Sequence, residues 1–380
     1  MVRMRDITLM QASSQLGPMV TNDSWALLTC DASASEYRHF GAFLGMAVCA
    51  VGTLGNGLTI LAFVLDPRLR TTFNLLILNL TLADLAYCAL LQPVTIHTYM
   101  QEAWNWGRAP CQVFGLLLFT LNLVSILSMG LVAGSRYALV TRPEAFRRAF
   151  RPLALPLWLG LPWMLSFTCL APFWDVFEFL PAVCTCSFNR RRGRPYTSIL
   201  HGLTFGLGLS SIGVFYLLIH RRMRKVSQAL SSYGARRNEG EREGSLVQAR
   251  KSRGRRGKEA EFSRVTAMCF AMFLVYLGCY LPFCLLHLVG KWLSASALAQ
   301  TLVGNLTWFN SCLNPLLYAA MNRQFRQGYQ AVFQRLACWA VGRGAASRTQ
   351  GSSGGRPSRV SEPGNGLRLG GGSRAGEGGL

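Results

Sequence analysis

The chain has 380 residues, 51% of them hydrophobic and only 15% charged, with 39 Lys and Arg against 17 Asp and Glu for a formal net charge of +22. A typical soluble domain carries about 25% charged residues, and here the apolar residues come in blocks separated by short polar connections, which excludes one large soluble core and favours membrane insertion. The charge does not call for nucleic acid: the aromatic interleaving of a base-stacking groove is absent, and most cations flank the apolar blocks, where they face an anionic inner leaflet.

Residues 1–40 read as an extracellular tail. "MVRMRDITLMQASSQ" lacks a continuous apolar region before a small-residue cleavage site, so the first span is expected to act as its own insertion signal. The tail holds Cys30 and a glycosylation acceptor at Asn22. The same tripeptide at Asn79 and Asn305 falls inside spans and is not expected to be modified.

A spanning helix needs roughly 20 mostly apolar residues, and seven stretches within 41–335 qualify or nearly do. Ala42 to Leu65 carries Asn56 in "GTLGNGLTI" and is followed by "DPRLRTT". Phe73 to Tyr99 carries Asp84 in "NLTLADLAYC", with Tyr87 and Tyr99 further out. Gln112 to Val140 follows Cys111, contains Leu118, Phe119, Asn122 and Ser125, and ends with "GSRYALV" ahead of "TRPEAFRRAFR". Leu153 to Trp174 contains Trp163. Tyr196 to His220 contains Tyr216 and precedes "HRRMRKVSQ". Val265 to Val289 contains "CYLP" from Cys279, with Tyr280, Pro282 and Phe283. Leu293 to Met321 contains Trp308, Phe309 and "NSCLNPLLY". Polar, glycine- and serine-rich stretches at about 227–261 and 336–380 read as disordered.

Cations lie after the first, third, fifth and seventh spans, which places those ends in the cytoplasm, the amino terminus outside and the carboxyl terminus inside. The exception is "CTCSFNRRRGRPYTS", from Cys184, between spans four and five on the outer side. Exposed arginine alone is ordinarily just solvated. Here Cys30, Cys111, Cys184 and Cys186 share the oxidising side. A bond from Cys111 to Cys186 would pin this loop over the bundle and leave Cys184 for Cys30, although four cysteines allow three connectivities and the sequence does not choose among them.

Polar groups inside spans are expensive and mark function by default. Asp84, Asn56, Ser125, Asn310 and Asn314 fall at similar depth if neighbouring spans alternate. Their oxygens suit a hard cation such as sodium, and a purely structural hydrogen-bonded network is compatible with that role. Pro282 and Pro315 each remove a backbone hydrogen bond and are expected to kink their helices. No phosphate-cradling loop, metal-ligand spacing or nucleophile constellation points to an enzyme.

Six one-per-span features, Asn56, "LADL" with Asp84, Cys111, Trp163, "CYLP" and "NPLLY", occur in the order seen in class A, rhodopsin-like, G-protein-coupled receptors, which the chain resembles over residues 42–335. The resemblance implies an all-α seven-transmembrane bundle with a short amphipathic eighth helix opened by Phe325. It also implies a cytoplasmic Arg136, with Tyr137 beside it, toward which Tyr216 and Tyr318 swing to admit a G-protein helix. Cys338 is a palmitoylation candidate, and the serine-rich tail offers sites for receptor kinases and arrestin. Two departures stand out. Ser135 replaces the family's acidic partner of Arg136, which predicts appreciable basal signalling, and Tyr280 stands where tryptophan is more common.

Ligand class narrows by elimination. Trp308 occupies the place of an opsin's retinal lysine, and Leu118 that of an amine receptor's aspartate. Apolar walls beneath an arginine suit an amphiphilic anion. The stretches "LRTTFNLLILNLTLADLAYC", "CQVFGLLLF", "VCTCSFNRRRGRPYTSIL" and "NLTWFNSCLNPLLYAAMNRQFRQ" are similar to receptors for medium-chain fatty acids. That similarity implies saturated and hydroxylated medium-chain agonists, inhibitory Gi/o transducers and a pro-inflammatory role in myeloid cells. It implies Arg190 as carboxylate anchor and Asn122 and Asn305 as readers of polar substituents. Tyr87, Tyr99, Leu118, Tyr280, Phe283, Trp308 and Ser187 complete the expected site. Asn189 and Arg191 depart from the pattern beside Arg190. The alternatives are a class A receptor for another lipid-like or peptide ligand and, in a different class, a seven-span carboxylate transporter, against which the lack of an internal repeat speaks.

Overall fold

The computed structural model describes residues 28–193, part of 195–228, 246–288 and 296–350; the side chains of 190–191, 246–262, 287–288 and 340–350 lie outside that description. Asn22 lies outside the described residues as well. Residues up to Phe333 form one compact unit and Gln334–Leu380 a second.

A short strand β1 (Leu28–Thr29) leads through a turn, in which Asp31 accepts the Ser33 amide, into helix α1 (Ser35–Leu65). The helix thus begins inside the stretch read as tail. It stops at Asp66-Pro67, because the residue before proline is driven out of the helical region and Pro67 has no amide hydrogen to donate. Helix α2 (Thr72–Ala86) is capped by the Thr71 hydroxyl, which accepts the Asn74 amide at 3.2 Å. A wide π turn, Tyr87–Leu91, then joins it to α3 (Gln92–Gln101). Pro93 explains the turn, since its ring collides with the carbonyl four residues back and offers no hydrogen in return. The second span is therefore continuous in length but not in geometry.

Glu102 ends α3 in the left-handed region (φ 49°) and turns the chain into strand β2 (Ala103–Trp104), which pairs antiparallel with β1. Helix α4 (Arg108–Thr141) runs 34 residues, about 51 Å, and is followed by the short α5 (Pro143–Ala149) and by α6 (Leu155–Leu170). The loop after α6 folds into a hairpin, β3 (Phe177–Leu180) and β4 (Thr185–Phe188), and a helical turn α7 (Arg190–Gly193). In the fifth span, residues 212–222 are helical.

Helix α8 (Leu246–Leu288) holds the sixth span and extends well into the stretch expected to be disordered. That segment, "LVQARKSRGRRGKEAEFSR", is rich in arginine, lysine, glutamate and alanine and has no proline, so composition that looks loop-like by polarity is helix-forming by propensity. The seventh span is two helices, α9 (Ala297–Leu306) and α10 (Phe309–Met321), separated at Thr307-Trp308. Helix α11 (Arg323–Gln350) follows and is longer than the short helix expected there.

Apolar side chains on both the inside and the outside of these helices identify their solvent. Ala42, Val48 and Ala62 on α1 are buried, while Phe43, Leu54 and Val64 on the same helix are more than half exposed. Water would penalise such a surface, whereas lipid accepts it. Five helices among the described residues are long and apolar enough to cross a membrane. Helix α4 lies at the centre, with buried residues along its whole length from Cys111 to Arg136.

Candidate ligand cavity and switch network

The hairpin after α6 is the roof of the site. Cys186 on β4 is bonded to Cys111 at the start of α4, and Cys184 in the hairpin turn is bonded to Cys30 after β1. The structure thus selects one of the three connectivities. Backbone bonds reinforce the arrangement: Asp31 donates to the Pro181 carbonyl at 2.9 Å and Cys30 to the Glu102 carbonyl at 2.8 Å. Gly115 lets the roof settle, since a Cβ there would lie 2.6 Å from the Phe177 ring. Phe177 and Phe188 stack at 4.6 Å, and Phe119 on α4 meets Phe188 at 4.2 Å.

Beneath the roof lies a cavity of about 1020 Å³, counted to its open mouth. Nine of the ten expected ligand residues line it: Tyr87, Tyr99, Leu118, Asn122, Ser187, Tyr280, Phe283, Asn305 and Trp308. The tenth, Arg190, begins α7 directly after the roof, and its side chain lies outside the described residues. Its neighbour Asn189 positions this turn. The Asn189 amide hydrogen is donated to the Val176 carbonyl, and its side-chain oxygen accepts the Arg192 amide at 3.1 Å while its Nδ2 donates to Glu178. The departure at position 189 is therefore a cap for the arginine turn.

Two hydrogen-bonded pairs of polar side chains in the cavity join different spans. The Tyr280 hydroxyl donates to Asn122 Oδ1, joining the sixth span to the third. The Tyr99 hydroxyl donates to Asn305 Oδ1 at 3.0 Å, joining the second to the seventh. Tyr276 stacks under Tyr280 at 4.3 Å. Thr95, Gln300 and Thr301 also line the space; threonine and glutamine in an apolar span are ordinary, so the sequence offered no signal for them.

Deeper in the bundle, Asn314 Nδ2 donates to Asp84 Oδ2 at 2.7 Å, with Ser125 and Ser311 beside the carboxylate. Asn56 Nδ2 donates to the carbonyls of Gly52 and Ser311, both at 2.9 Å. Asp84 Oδ1, Asn56 Oδ1, Asn314 Oδ1 and both polar atoms of the Asn310 side chain are buried without a hydrogen-bond partner. Of the expected polar group, Asn314 and Ser125 meet the Asp84 carboxylate directly, and Asn56 is linked to it through the backbone of Ser311. A separate bridge, Trp163 Nε1 to Asn79 Oδ1 at 2.9 Å and Asn79 Nδ2 to Ser128 Oγ at 3.2 Å, places Asn79 inside the bundle.

At the cytoplasmic end, the Arg136 guanidinium carbon lies 3.3 Å from the centroid of the Phe73 ring. Ser135 turns its hydroxyl back to the Val132 carbonyl at 2.8 Å. Tyr137 meets Phe215 at 5.6 Å, Tyr216 is buried against Phe273, and Tyr318 stacks on Phe325 at 5.2 Å.

Residues 55–318 match the family model of the 7 transmembrane receptor (rhodopsin family). A relative from Mus musculus named G-protein coupled receptor 84 is 41% identical over 385 aligned positions, covering 83% of this chain and 97% of the relative. The Homo sapiens protein of the same name is 39% identical with the same coverage. Melatonin receptor type 1B from Rattus norvegicus is 26% identical, covering 77% of each chain. One-per-span motifs, an apolar cavity under a disulfide-pinned roof and these matches agree: the chain belongs to the rhodopsin-like, class A family of G-protein-coupled receptors, which are multi-pass membrane receptors and not enzymes.

Proposed function

We propose that the chain is a cell-surface receptor for medium-chain free fatty acids, hydroxylated ones included, signalling through inhibitory Gi/o proteins to lower cyclic AMP. The observation that carries this reading is the composition of the cavity: apolar and aromatic walls, amides at Asn122, Gln300 and Asn305, the Ser187 hydroxyl, and an arginine turn capped by Asn189 next to the roof. An amphiphilic anion needs each of these. A guanidinium such as that of Arg190 pairs a carboxylate through two parallel hydrogen bonds, the walls take the alkyl chain, and an amide reads a hydroxyl. Each buried methylene contributes about 0.8 kcal/mol, roughly fourfold in affinity, until the cavity is full.

Agonist then acts by differential affinity for two bundle arrangements. The ligand bridges the roof and the third, sixth and seventh spans; the sixth span moves outward at its cytoplasmic end about Pro282; Arg136, Tyr137, Tyr216 and Tyr318 form the G-protein cleft. By reciprocity, bound G protein tightens agonist binding. The spare oxygens of Asp84, Asn56, Asn310 and Asn314, with Ser125 beside them, fit a sodium ion, a hard cation that prefers oxygen ligands. Sodium bound there holds the closed arrangement. In this reading the receptor lies in the plasma membrane with its amino terminus outside, glycosylated at Asn22, acts in myeloid inflammation, and is silenced by receptor kinases and arrestin acting on its tail.

The test is inhibition of cyclic AMP in transfected cells, titrating saturated acids of increasing chain length on the parent and on Arg190→Ala at matched surface expression. A response peaking at medium length and about tenfold or more weaker in the variant is expected. A parent indifferent to every acid would overturn the ligand class.

A further inference from the structure

A second arginine deserves a functional role. Arg38, on the outermost turns of α1 and read in the sequence as part of the tail, is 0% exposed. Its Nε lies 3.4 Å from Glu102 Oε1, which also accepts the Ser35 hydroxyl. Nη1 and Nη2 are buried without a hydrogen-bond partner. A guanidinium taken out of water with both terminal nitrogens unused is a costly arrangement unless some state of the protein satisfies them.

The surroundings indicate what would. Gly41 lies on the same face of α1, one turn inward from Arg38. A Cβ on Gly41 would sit 2.9 Å from Asn305 Nδ2 and 3.0 Å from Tyr99 Cε2, so the missing side chain lets the Tyr99–Asn305 pair lie against the first helix. The Arg38 charge is close enough to act on the Tyr99 phenol. Asn305 spends its oxygen on the Tyr99 hydroxyl, and its Nδ2 is likewise buried without a partner. Tyr99 and Asn305 both line the ligand cavity. This corner of the first, second and seventh spans therefore collects three unused donors, Arg38 Nη1 and Nη2 and Asn305 Nδ2. A carboxylate is a pure acceptor with two oxygens and a negative charge, and is the complement of that set.

We propose that Arg38 is a carboxylate-binding residue of the ligand cavity, reached when the Tyr99 ring yields, so that an acid is held at the inner corner of the first, second and seventh spans together with Asn305. The proposal rests on the fatty-acid reading above and adds to it a second cationic partner for the acid, Arg38, besides the arginine turn at the roof.

The experiment uses the full-length receptor in nanodiscs, with decanoate and its uncharged isostere decanamide as probes and ligand-induced thermal stabilisation as readout, for the parent, Arg38→Gln, Arg38→Lys and Arg190→Ala. The parent is expected to bind decanoate about tenfold more tightly than decanamide. Arg38→Gln should erase that preference, and Arg38→Lys, which keeps the charge but not the fork, should retain part of it. A merely structural arginine would weaken both probes equally and leave their ratio intact. An intact ratio in both Arg38 variants, with loss in Arg190→Ala, would overturn the proposal while leaving the fatty-acid reading standing. If Arg38→Gln does not fold, Arg38→Lys alone decides, since an unchanged ratio there overturns bidentate capture. A parent that binds neither probe would overturn both readings together.

Discussion

The hydroxyl of Tyr280 donates to the side-chain oxygen of Asn122, so the residue that replaces the family's more common tryptophan ties the sixth span to the third across the cavity. Breaking this tie should release the sixth span. A buried neutral hydrogen bond contributes about 1 kcal/mol, so Tyr280→Phe is expected to raise ligand-free G-protein activation about fivefold at equal surface expression. Nucleotide exchange measured in membranes checks this; unaltered basal exchange would mean that the bond persists in both arrangements.

Arg136 is restrained by an aromatic face in place of an acid. The guanidinium over Phe73 is a cation–π contact, which contributes about 0.5–2 kcal/mol depending on desolvation. Phe73→Leu should increase basal signalling severalfold, whereas Ser135→Asp, by adding an ion pair, should decrease it. The same exchange assay reads both, and movement of the two in one direction would refute the restraint.

Sodium should oppose agonist through Asp84. Raising sodium at constant ionic strength, with choline as the replacement cation, is expected to weaken agonist binding to the parent and to leave Asp84→Asn unaffected. An equal sodium effect in the variant would place the ion elsewhere.

The two disulfides should not be equivalent. Cys111–Cys186 fastens the roof to α4, the central helix, while Cys30–Cys184 fastens the amino-terminal strand to the roof. Replacing Cys111 and Cys186 by serine is expected to abolish the agonist response. Replacing Cys30 and Cys184 should lower thermal stability, by an amount within the usual 2–5 kcal/mol for a native disulfide, roughly, and retain a weakened response. Denaturation in nanodiscs alongside the cyclic-AMP assay separates the two effects.

Much of the site was readable from residue type and depth. Asp84 and Asn314 meet because polar groups buried in an apolar bundle must find each other. The cavity residues converge because aromatic and amide positions in the outer halves of neighbouring spans face a common interior. Three features were not readable. Arg38 looks like a solvated tail residue, and only the fold reveals that it is buried beside Glu102. Asn189 looks like a departure beside Arg190, and its capping role exists only once β4 ends in a helical turn. The helix at Leu246–Leu288 begins in a strongly cationic stretch, where polarity suggests a loop and side-chain propensity favours helix.

The wide turn at Tyr87–Leu91 has a rotational consequence. Tyr87 and Tyr99 are twelve positions apart, and in an uninterrupted α-helix that spacing would set their side chains roughly 120° apart around the axis. One surplus residue in the turn absorbs about 100° of that difference, so both phenols come to face the same cavity. The outer part of the span is in effect indexed by one residue relative to the inner part. Deleting Ala89 would leave the hydropathy of the segment almost unchanged yet turn Thr95 and Tyr99 away from the ligand, carrying the Tyr99–Asn305 contact with them. In this receptor the chemistry presented to ligand is set by angular phase as much as by residue choice, and a single-residue deletion is enough to change it.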